Sequence, residues 1–250
     1  MEPFIVDVHS HLVPSGDDGA RTLEEGLSLL ADAARHGTRT LYATPHVHAP
    51  WDSFPLTPRR LELFDRAFPA AREGCARFGL SLERGFEIYP GALPEDADLR
   101  DFQLGSSGCL LIEFPGSWTG EDEACELVYR QAEAAERAGL LPVLAHPERC
   151  RELAADPAAR AAPFRERGWR LCLNAPSLDG GHGAGAMRAA WELIEAGLAD
   201  LVASDSHGHA RPARLDGAYR LVAARCGTER ARPLFDGSAL RSERAAERAA

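Results

Sequence analysis

The sequence contains no lysine: all 28 of its basic residues are arginine, against 38 aspartates and glutamates, so the net charge is −10. Proteins that bind nucleic acid usually present a basic surface to the phosphate backbone, and this balance therefore argues against a nucleic-acid partner. No apolar run approaches the roughly 20 residues that a membrane span requires, and the amino terminus lacks the features of a signal peptide. We expect a cytoplasmic protein with no transmembrane segment.

Two further signatures are missing. No G-x-G-x-x-G or Walker sequence follows any apolar run, so a nucleotide cofactor has no support. The cysteines lack the close spacing of a zinc site, and a chain of this length without an export signal does not call for a disulfide framework. We therefore expect no disulfide framework, and we expect buried reduced thiols at Cys109 and Cys172, which lie in apolar runs; the other cysteines are Cys75, Cys125, Cys150 and Cys226.

Seven short apolar runs recur along the chain, at residues 4–8, 39–43, 80–82, 109–114, 140–145, 170–173 and 198–203. Amphipathic stretches separate them, and this alternation is typical of a parallel sheet covered by helices, because parallel strands need long crossovers. We predict an α/β fold with a seven-stranded parallel barrel; an open doubly wound sheet is the alternative. We expect one domain over residues 1–237 and a C-terminal helical or disordered tail over residues 238–250.

The amphipathic stretches predict helices at residues 22–36, 121–138, 184–196 and 211–226. Thr22 and Glu25 have the spacing of a capping box, and Gly37 follows as a stop signal. A further helix opens at Thr57, and Pro69 is expected to kink or restart it, because proline lacks the N–H that a helix interior uses.

Side chains of metal-ligand type follow six of the seven apolar runs: His9 and His11, His46, Glu87, Glu113, His146, and Asp205 with His207. The sixth run offers Asn174 instead. In a parallel barrel the carboxyl ends of all strands meet at one mouth, where active groups gather. Buried imidazoles and carboxylates that converge there would lack partners unless cations lay among them. An imidazole and carboxylate set without cysteine favours Zn, Mn or Fe.

Several segments, in this order, resemble the PHP (polymerase and histidinol phosphatase) superfamily: DVHSH at 7–11, GDDGA at 16–20, ATPH at 43–46, GFEI at 85–88, LIEFP at 111–115, AHPER at 145–149 and ASDSH at 203–207. The GDDGA, LIEFP and AHPER segments are most similar to the bacterial tyrosine-protein phosphatases associated with capsular and exopolysaccharide operons. The resemblance covers about residues 5–214. It implies a distorted seven-stranded barrel with a metal site at the C-terminal ends of the strands.

The resemblance also implies three divalent metal ions, which could be Mn, Fe or Zn. The first would take His9, His11, Glu87 and Asp205. Glu87 would bridge to the second, which Glu113 and His146 complete. The third would take Asp17, His46 and His207. We choose Asp17 because it lies at the family's offset from His11, and Asp18 remains the alternative.

The expected reaction is hydrolysis of a phosphomonoester by a hydroxide that bridges the first two metals, without a covalent phosphoenzyme. Arg149 is expected to bind phosphate oxygens, the alternative being an ion pair with Glu148 or Glu152, and Arg211 is a second candidate. Asp205 is a candidate for sharing a proton with the leaving group. His48, His182 and His209 could line the pocket or lie in solvated loops.

The leading hypothesis is a protein-tyrosine phosphatase that controls polysaccharide biosynthesis, with a bacterial tyrosine kinase of polysaccharide assembly as its phosphotyrosine-containing partner. The oligomeric state stays open. One alternative is a small-molecule phosphatase such as histidinol-phosphatase, and another is a non-catalytic, metal-bearing regulatory partner. Trp51, Phe54 and Trp118 could form an aromatic rim for a tyrosine ring, or could be packed in loops.

One sequence motif points to different chemistry. Residues 226–232 fit Cys-x5-Arg, the phosphate loop of cysteine-dependent tyrosine phosphatases. That loop lies between a strand and a helix, where backbone N–H groups surround the phosphate. Cys226 instead closes a predicted helix, and we therefore reject this interpretation.

Overall fold

The computed structural model describes residues 4–49, 52–94, 96–116 and 123–241. The strands of this part are β1 (Ile5–Asp7), β2 (Thr38–Ala43), β3 (His46–Val47), β4 (Ser81–Arg84), β5 (Glu87–Ile88), β6 (Cys109–Glu113), β7 (Leu141–Ala145), β8 (Arg170–Asn174) and β9 (Leu201–Ala203). The helices are α1 (Leu23–Arg35), α2 (Pro58–Ala76), α3 (Glu123–Arg137), α4 (Arg151–Ala155), α5 (Pro157–Glu166), α6 (Ala175–Leu178), α7 (Gly183–Glu195), α8 (Asp216–Cys226) and α9 (Thr228–Phe235).

All strand pairs are parallel, as the alternation of strands and helices predicts. They form a three-stranded sheet of order β1-β2-β4 and a six-stranded sheet of order β3-β5-β6-β7-β8-β9. Each of the seven predicted runs overlaps a strand. Two short strands were not predicted: β3 follows β2 after Thr44 and Pro45, and β5 follows β4 after Gly85 and Phe86.

The two sheets meet at the segments that follow β1 and β9. Ser10 forms a parallel bridge with Ser206, and the N–H of Asp205 donates to the carbonyl of His9 at 2.9 Å. The buried Asp7 carboxylate accepts a hydrogen bond from the N–H of Ser204 at 3.0 Å. These contacts bring the carboxyl end of the first strand against that of the last.

The helix boundaries agree with the sequence pattern at α1, α3 and α7 to within about two residues, and differ at two other places. The helix α2 continues through Pro69, so of the two alternatives for this position the restart is wrong and the kink stays a prediction. Phe64, Phe68, Ala71 and Cys75 anchor both sides of the proline in the core. The helix α8 begins at Asp216 rather than at Arg211. The Arg211 carbonyl accepts a hydrogen bond from the Ser206 hydroxyl at 2.7 Å, which holds the preceding residues in a loop.

The core has two parts. A large apolar cluster fills the space between the strands and the surrounding helices. A smaller one contains side chains of alternate strand residues, such as Leu111, Val143 and Cys172, and is joined by Leu240 from a short 3-10 helix at Ser238–Leu240. Ala239 and Leu240 therefore pack against the body of the protein, whereas residues 242–250 lie outside the described part.

None of the helices in the described residues has the length and apolar character of a membrane span.

Candidate metal centre

The parallel strands bring eight acidic and imidazole side chains together at one end of the two sheets. His9 and His11 follow β1, His146 follows β7, and Asp205 and His207 follow β9; His46 and Glu87 begin β3 and β5, and Glu113 ends β6. His146 and Asp205 have positive φ angles of 41° and 49°. Left-handed backbone at a residue other than glycine costs free energy and persists only where the surroundings impose it, which is common at functional sites.

The first cluster consists of His9, His11 and Asp205, with Glu87 in contact with both imidazoles. His9 Nε2 lies 3.0 Å from Glu87 Oε2 and 3.4 Å from Asp205 Oδ1. The corresponding distances from His11 Nε2 are 3.3 Å and 3.5 Å. All four side chains are almost completely buried. The sequence prediction brings together the same four residues.

The second cluster surrounds the other side of the Glu87 carboxylate. Glu87 Oε1 lies 2.9 Å from His146 Nε2, and Glu87 Oε2 lies 2.9 Å from His46 Nδ1. Glu113 Oε2 lies 3.7 Å from the same His46 nitrogen and 3.0 Å from His48 Nε2. Glu113 therefore groups with His46 and His48. The sequence left the role of His48 open, and the structure places it against a candidate ligand.

The third cluster contains Asp18, not Asp17. Asp18 Oδ1 lies 3.5 Å from His46 Nε2 and 3.3 Å from His207 Nε2, and these three group with His11 as a possible metal site. Asp17 instead points its Oδ2 at His11 Nδ1, at 3.0 Å, and accepts a hydrogen bond from the Gly19 N–H at 3.2 Å. Asp17 thus supports His11 from behind.

The imidazole nitrogens and carboxylate oxygens of these clusters are better placed to bind cations than to hydrogen-bond with one another. Glu87 Oε2 and His46 Nδ1 face each other, yet both are buried without a hydrogen bond of acceptable geometry. Burial alone would raise the pKa of Glu87, but the adjacent His9 and His46 hold it well below its usual range. Burial would lower the pKa of His11, but Asp17, Asp205 and Glu87 raise it well above its usual value. Without metal the imidazoles of His9 and His11 attract protons, and divalent ions would replace those protons as counterions.

Two arginines reach the rim of these clusters. Arg149 Nη1 lies 3.0 Å from Asp205 Oδ2, and Arg211 Nη1 lies 3.6 Å from the same oxygen. The amide of Asn174 also donates to this oxygen, at 2.7 Å. Glu148 and Glu152 bind other groups: Glu148 accepts from Ser177, and Glu152 from Arg160. Arg149 is therefore directed toward the centre, and one third of its side chain is exposed.

Two side chains that support the clusters, Arg60 and Asp7, were not predicted from the sequence. Arg60, on α2, donates from Nη2 to the carbonyl of His46 at 3.1 Å and from Nε to that of Ser15 at 3.0 Å. The Asp7 carboxylate is fully buried, and its burial raises its pKa to about 6. The position of Asp7 inside an apolar strand run is a signal that could have identified it. No local pattern marks Arg60, because its partners lie far away in sequence.

Among the other candidates, the Phe54 ring stacks on His46 with centroids 5.5 Å apart, so it lies at the centre. Trp51 and Trp118 lie outside the described residues. His182 contacts Ser177 rather than a ligand, and His209 is exposed. Cys226 ends α8, Gly227 follows with a φ of 86°, and α9 contains Arg232. This arrangement has a helix where the cysteine-dependent loop has a strand, which confirms that the motif is not a phosphate loop.

A family model and several known proteins match this chain over most of its length. The family model for capsular polysaccharide synthesis, CpsB/CapC, matches residues 5–241. The tyrosine-protein phosphatase YwqE of Bacillus subtilis is 30% identical over 205 residues, covering 81% of this chain and 77% of YwqE. The tyrosine-protein phosphatase CpsB of Streptococcus agalactiae serotype III is 27% identical over 249 residues, covering 92% and 95%.

A solved structure from work on YwqE of Bacillus subtilis and CpsB of Streptococcus pneumoniae, described as unique metal-dependent tyrosine phosphatases, has a TM-score of 0.75 and 28% identity with this protein. The structural match covers 92% of this chain and 91% of the solved chain. The sequence match and the structural match both extend over almost the whole chain. The chain therefore belongs to the CpsB/CapC family of capsular polysaccharide synthesis proteins.

Proposed function

We propose that this chain is a metal-dependent phosphatase that hydrolyses phosphotyrosine in proteins. The observation that carries this proposal is the convergence of buried imidazoles and carboxylates with two arginines at one end of the sheet. The relatives that carry the name tyrosine-protein phosphatase cover nearly the same length, which favours tyrosine over other phosphomonoesters.

We assign three divalent ions to the centre. His9, His11 and Asp205 would hold the first, with Glu87 shared between it and a second that His146 completes together with Glu113, whose carboxylate also lies beside His46 and His48. His46, His207 and Asp18 would hold the third, with Asp18 in place of Asp17 because of the distances above. The donors are nitrogen and oxygen atoms without a thiolate, which suits Mn, Fe or Zn.

Divalent ions bound here supply an acidified water molecule as the nucleophile and positive charge for the phosphoryl oxygens. Arg149 and Arg211 add two guanidinium groups, whose planar donors match phosphoryl oxygens. Asp205 uses Oδ1 toward His9 and His11, and Oδ2 toward Arg149 and Asn174. We therefore assign Asp205 the role of joining the ligand cluster to the arginines, rather than that of protonating the leaving group.

We propose that the two sheets form one distorted seven-stranded barrel. In this interpretation β2 and β3 are one interrupted strand, as are β4 and β5. The backbone bonds between the segments after β1 and β9, including His11 N–H to Ser206 at 2.8 Å, would close the barrel. Closure would place all the ligands around one mouth.

We infer that the partner is a phosphotyrosine-containing protein of polysaccharide assembly, such as a bacterial tyrosine kinase, and that the protein works in the cytoplasm. The family description supports the link to capsule synthesis. All six cysteines are free, which is typical of proteins in a reducing compartment.

The test is turnover of a phosphotyrosine peptide, a phosphoserine peptide and histidinol phosphate by metal-loaded protein. We expect the phosphotyrosine peptide to be hydrolysed with the highest kcat/KM. His207→Ala should lower that value by at least about 100-fold, because it removes a ligand, whereas His209→Ala, which changes an exposed histidine of the same loop, should lower it by less than about three-fold. Turnover of histidinol phosphate alone would overturn the tyrosine assignment. A His207→Ala variant as active as wild type would overturn the metal assignment.

A further inference from the structure

A chain of three hydrogen-bonded side chains lies beside the metal centre and takes no part in the proposed ligand set. Glu148 Oε1 accepts one hydrogen bond from the N–H of Asn174 at 2.9 Å and another from the Ser177 hydroxyl at 2.7 Å. Ser177 Oγ lies 3.1 Å from His182 Nδ1. Glu148 and Ser177 are completely buried, while His182 is partly exposed. The chain therefore links the interior to one accessible imidazole.

The hydrogen bonds determine the tautomer of His182. Glu148 Oε1 already accepts a backbone N–H, so it acts as an acceptor, and the single hydroxyl proton of Ser177 is donated to it. Ser177 Oγ can then only accept from His182, which places the ring proton on Nδ1. Burial and the adjacent Arg149 guanidinium lower the pKa of His182 to about 4, so the ring is neutral near pH 7. Its Nε2 consequently presents a lone pair.

The same imidazole lies in the walls of two cavities. The larger cavity, of about 840 Å³, is also lined by Arg211, and the smaller, of about 550 Å³, by Arg149. His182 thus lies near both arginines assigned to the phosphoryl group. A fully ionised phosphoryl group has no proton to donate, so the lone pair of Nε2 needs a different donor. A phosphotyrosine within a peptide brings main-chain N–H groups into this region.

We propose that His182 Nε2 accepts a hydrogen bond from a main-chain N–H of the phosphotyrosine peptide, and that Ser177 and Glu148 hold the ring in the tautomer this bond requires. The inference rests on the proposed function. The larger cavity, with Ala175, Ala218 and Leu221 in its wall, receives the residues next to the phosphotyrosine. His182 is then a specificity residue, because simple aryl phosphates offer no N–H group.

The test compares kcat/KM for a phosphotyrosine hexapeptide with kcat/KM for phenyl phosphate, using the full chain loaded with metal. Loss of one hydrogen bond between neutral groups corresponds to about a ten-fold change. His182→Ala should therefore lower the ratio of peptide to phenyl phosphate turnover about ten-fold. His182→Gln, which places an acceptor oxygen near the position of Nε2, should restore part of the ratio. His209→Ala is the matched control. His209 is an exposed histidine next to Ala210 in the wall of the larger cavity, but His209 itself does not line that cavity.

Ser177→Ala tests the positioning role. It should lower the same ratio in the wild-type background, and should add no further loss in the His182→Ala background, because its effect acts through the imidazole. Metal content per chain should match that of wild type in both variants. Metal loss in His182→Ala would overturn the proposal by placing His182 among the supports of the ligands.

Two kinetic results would also overturn the proposal while leaving the phosphatase assignment intact. In His182→Ala they are an equal loss of kcat/KM on both substrates and no loss of kcat/KM on either substrate, each with a wild-type protein that hydrolyses the peptide. A wild-type protein that does not hydrolyse the phosphotyrosine peptide would instead overturn the proposed function, together with the inference that rests on it.

Discussion

Asp17 and Asp18 are adjacent in sequence but contact opposite sides of the imidazole cluster. The Asp17 carboxylate is buried behind His11 and also accepts a hydrogen bond from the N–H of His46 at 3.3 Å. About half of the Asp18 side chain is exposed, and it faces His46 and His207. A carboxylate that holds the outer nitrogen of a ligating imidazole sets the orientation and basicity of that ligand. The two aspartates therefore have different roles.

This difference can be measured as metal stoichiometry. We expect Asp18→Ala to bind one metal ion fewer per chain than wild type at saturating metal, because it removes a ligand of the third ion. We expect Asp17→Asn to keep the full number of ions but to bind them about 10–100-fold more weakly, because its effect is indirect. Metal content by elemental analysis and affinity by titration decide the matter. The reverse pattern would return the ligand role to Asp17.

The sequence alone does not determine which of Asp17 and Asp18 binds metal. The other eight proposed ligands follow from residue type and position near or after the end of an apolar run, because parallel strands bring their carboxyl ends together. Asp17 and Asp18 lie in an irregular loop, where no periodicity determines which side chain points inward. Their orientation depends on close packing of the Gly19 backbone against His11, which the letters of the sequence do not encode locally.

At the scale of elements, α1 packs unusually closely on the segment that carries the first two histidines. A Cβ atom at Gly26 would lie 2.3 Å from the carbonyl oxygen of Leu12, which is backbone and cannot move aside cheaply. Gly217, near the start of α8, has open space around its Cα atom. Both glycines are helical, so they share the same intrinsic preference and differ only in their surroundings.

The two glycines therefore form a matched pair for substitution. We expect Gly26→Ala to lower the free energy of unfolding by about 2 kcal/mol, since overpacking commonly costs about 1–3 kcal/mol. Gly217→Ala should leave it unchanged or raise it by up to about 1 kcal/mol, because alanine favours helix more than glycine does. Urea unfolding of the metal-free protein measures both values. Equal effects would mean that the close approach of α1 to Leu12 does not contribute to stability.

Sequence patterns predict most elements here because the amphipathic period and the capping residues are local signals. Thr22 accepts a hydrogen bond from the N–H of Glu25 at 3.1 Å, so α1 begins where its cap predicts. The errors occur where tertiary contacts override local preference. Arg211 looks helical but is held in a loop by Ser206, and Pro69 looks like a break but is carried by apolar residues on both sides.

At the scale of the whole molecule, the charge of −10 hides a local reversal. Three divalent ions would outweigh the four proposed carboxylate ligands, Asp18, Glu87, Glu113 and Asp205, and would make a positive phosphate site in an acidic protein without lysine. Without metal, the same cluster depends on protons. The pKa of His9 and that of His11 are raised, although burial opposes this, because carboxylates surround them; the pKa values of Glu87 and Asp205 are lowered by the imidazoles in spite of their burial.

These shifts predict opposite pH dependence of stability with and without metal. The raised histidine pKa values stabilise the metal-free fold fully below about pH 6.5, and this contribution is lost as pH rises through the folded values. The lowered pKa values of the carboxylates stabilise the fold above about pH 4.5, and this contribution is lost as pH falls through the folded values. The chelator-treated protein should therefore be most stable at about pH 5–6.5. Bound metal competes with protons, so its stabilisation grows as pH rises.

Thermal unfolding of metal-loaded and chelator-treated protein at pH 6 and pH 8 checks this expectation. The difference in Tm between the two forms should be several degrees larger at pH 8, because the metal-free form has lost its imidazolium counterions while the loaded form retains its cations. His209→Ala, in which an exposed imidazole is removed, should show the same increase as wild type. A difference in Tm that is equal at the two pH values would mean that the imidazole and carboxylate cluster does not exchange protons for metal, and would contradict the assignment of these residues as ligands.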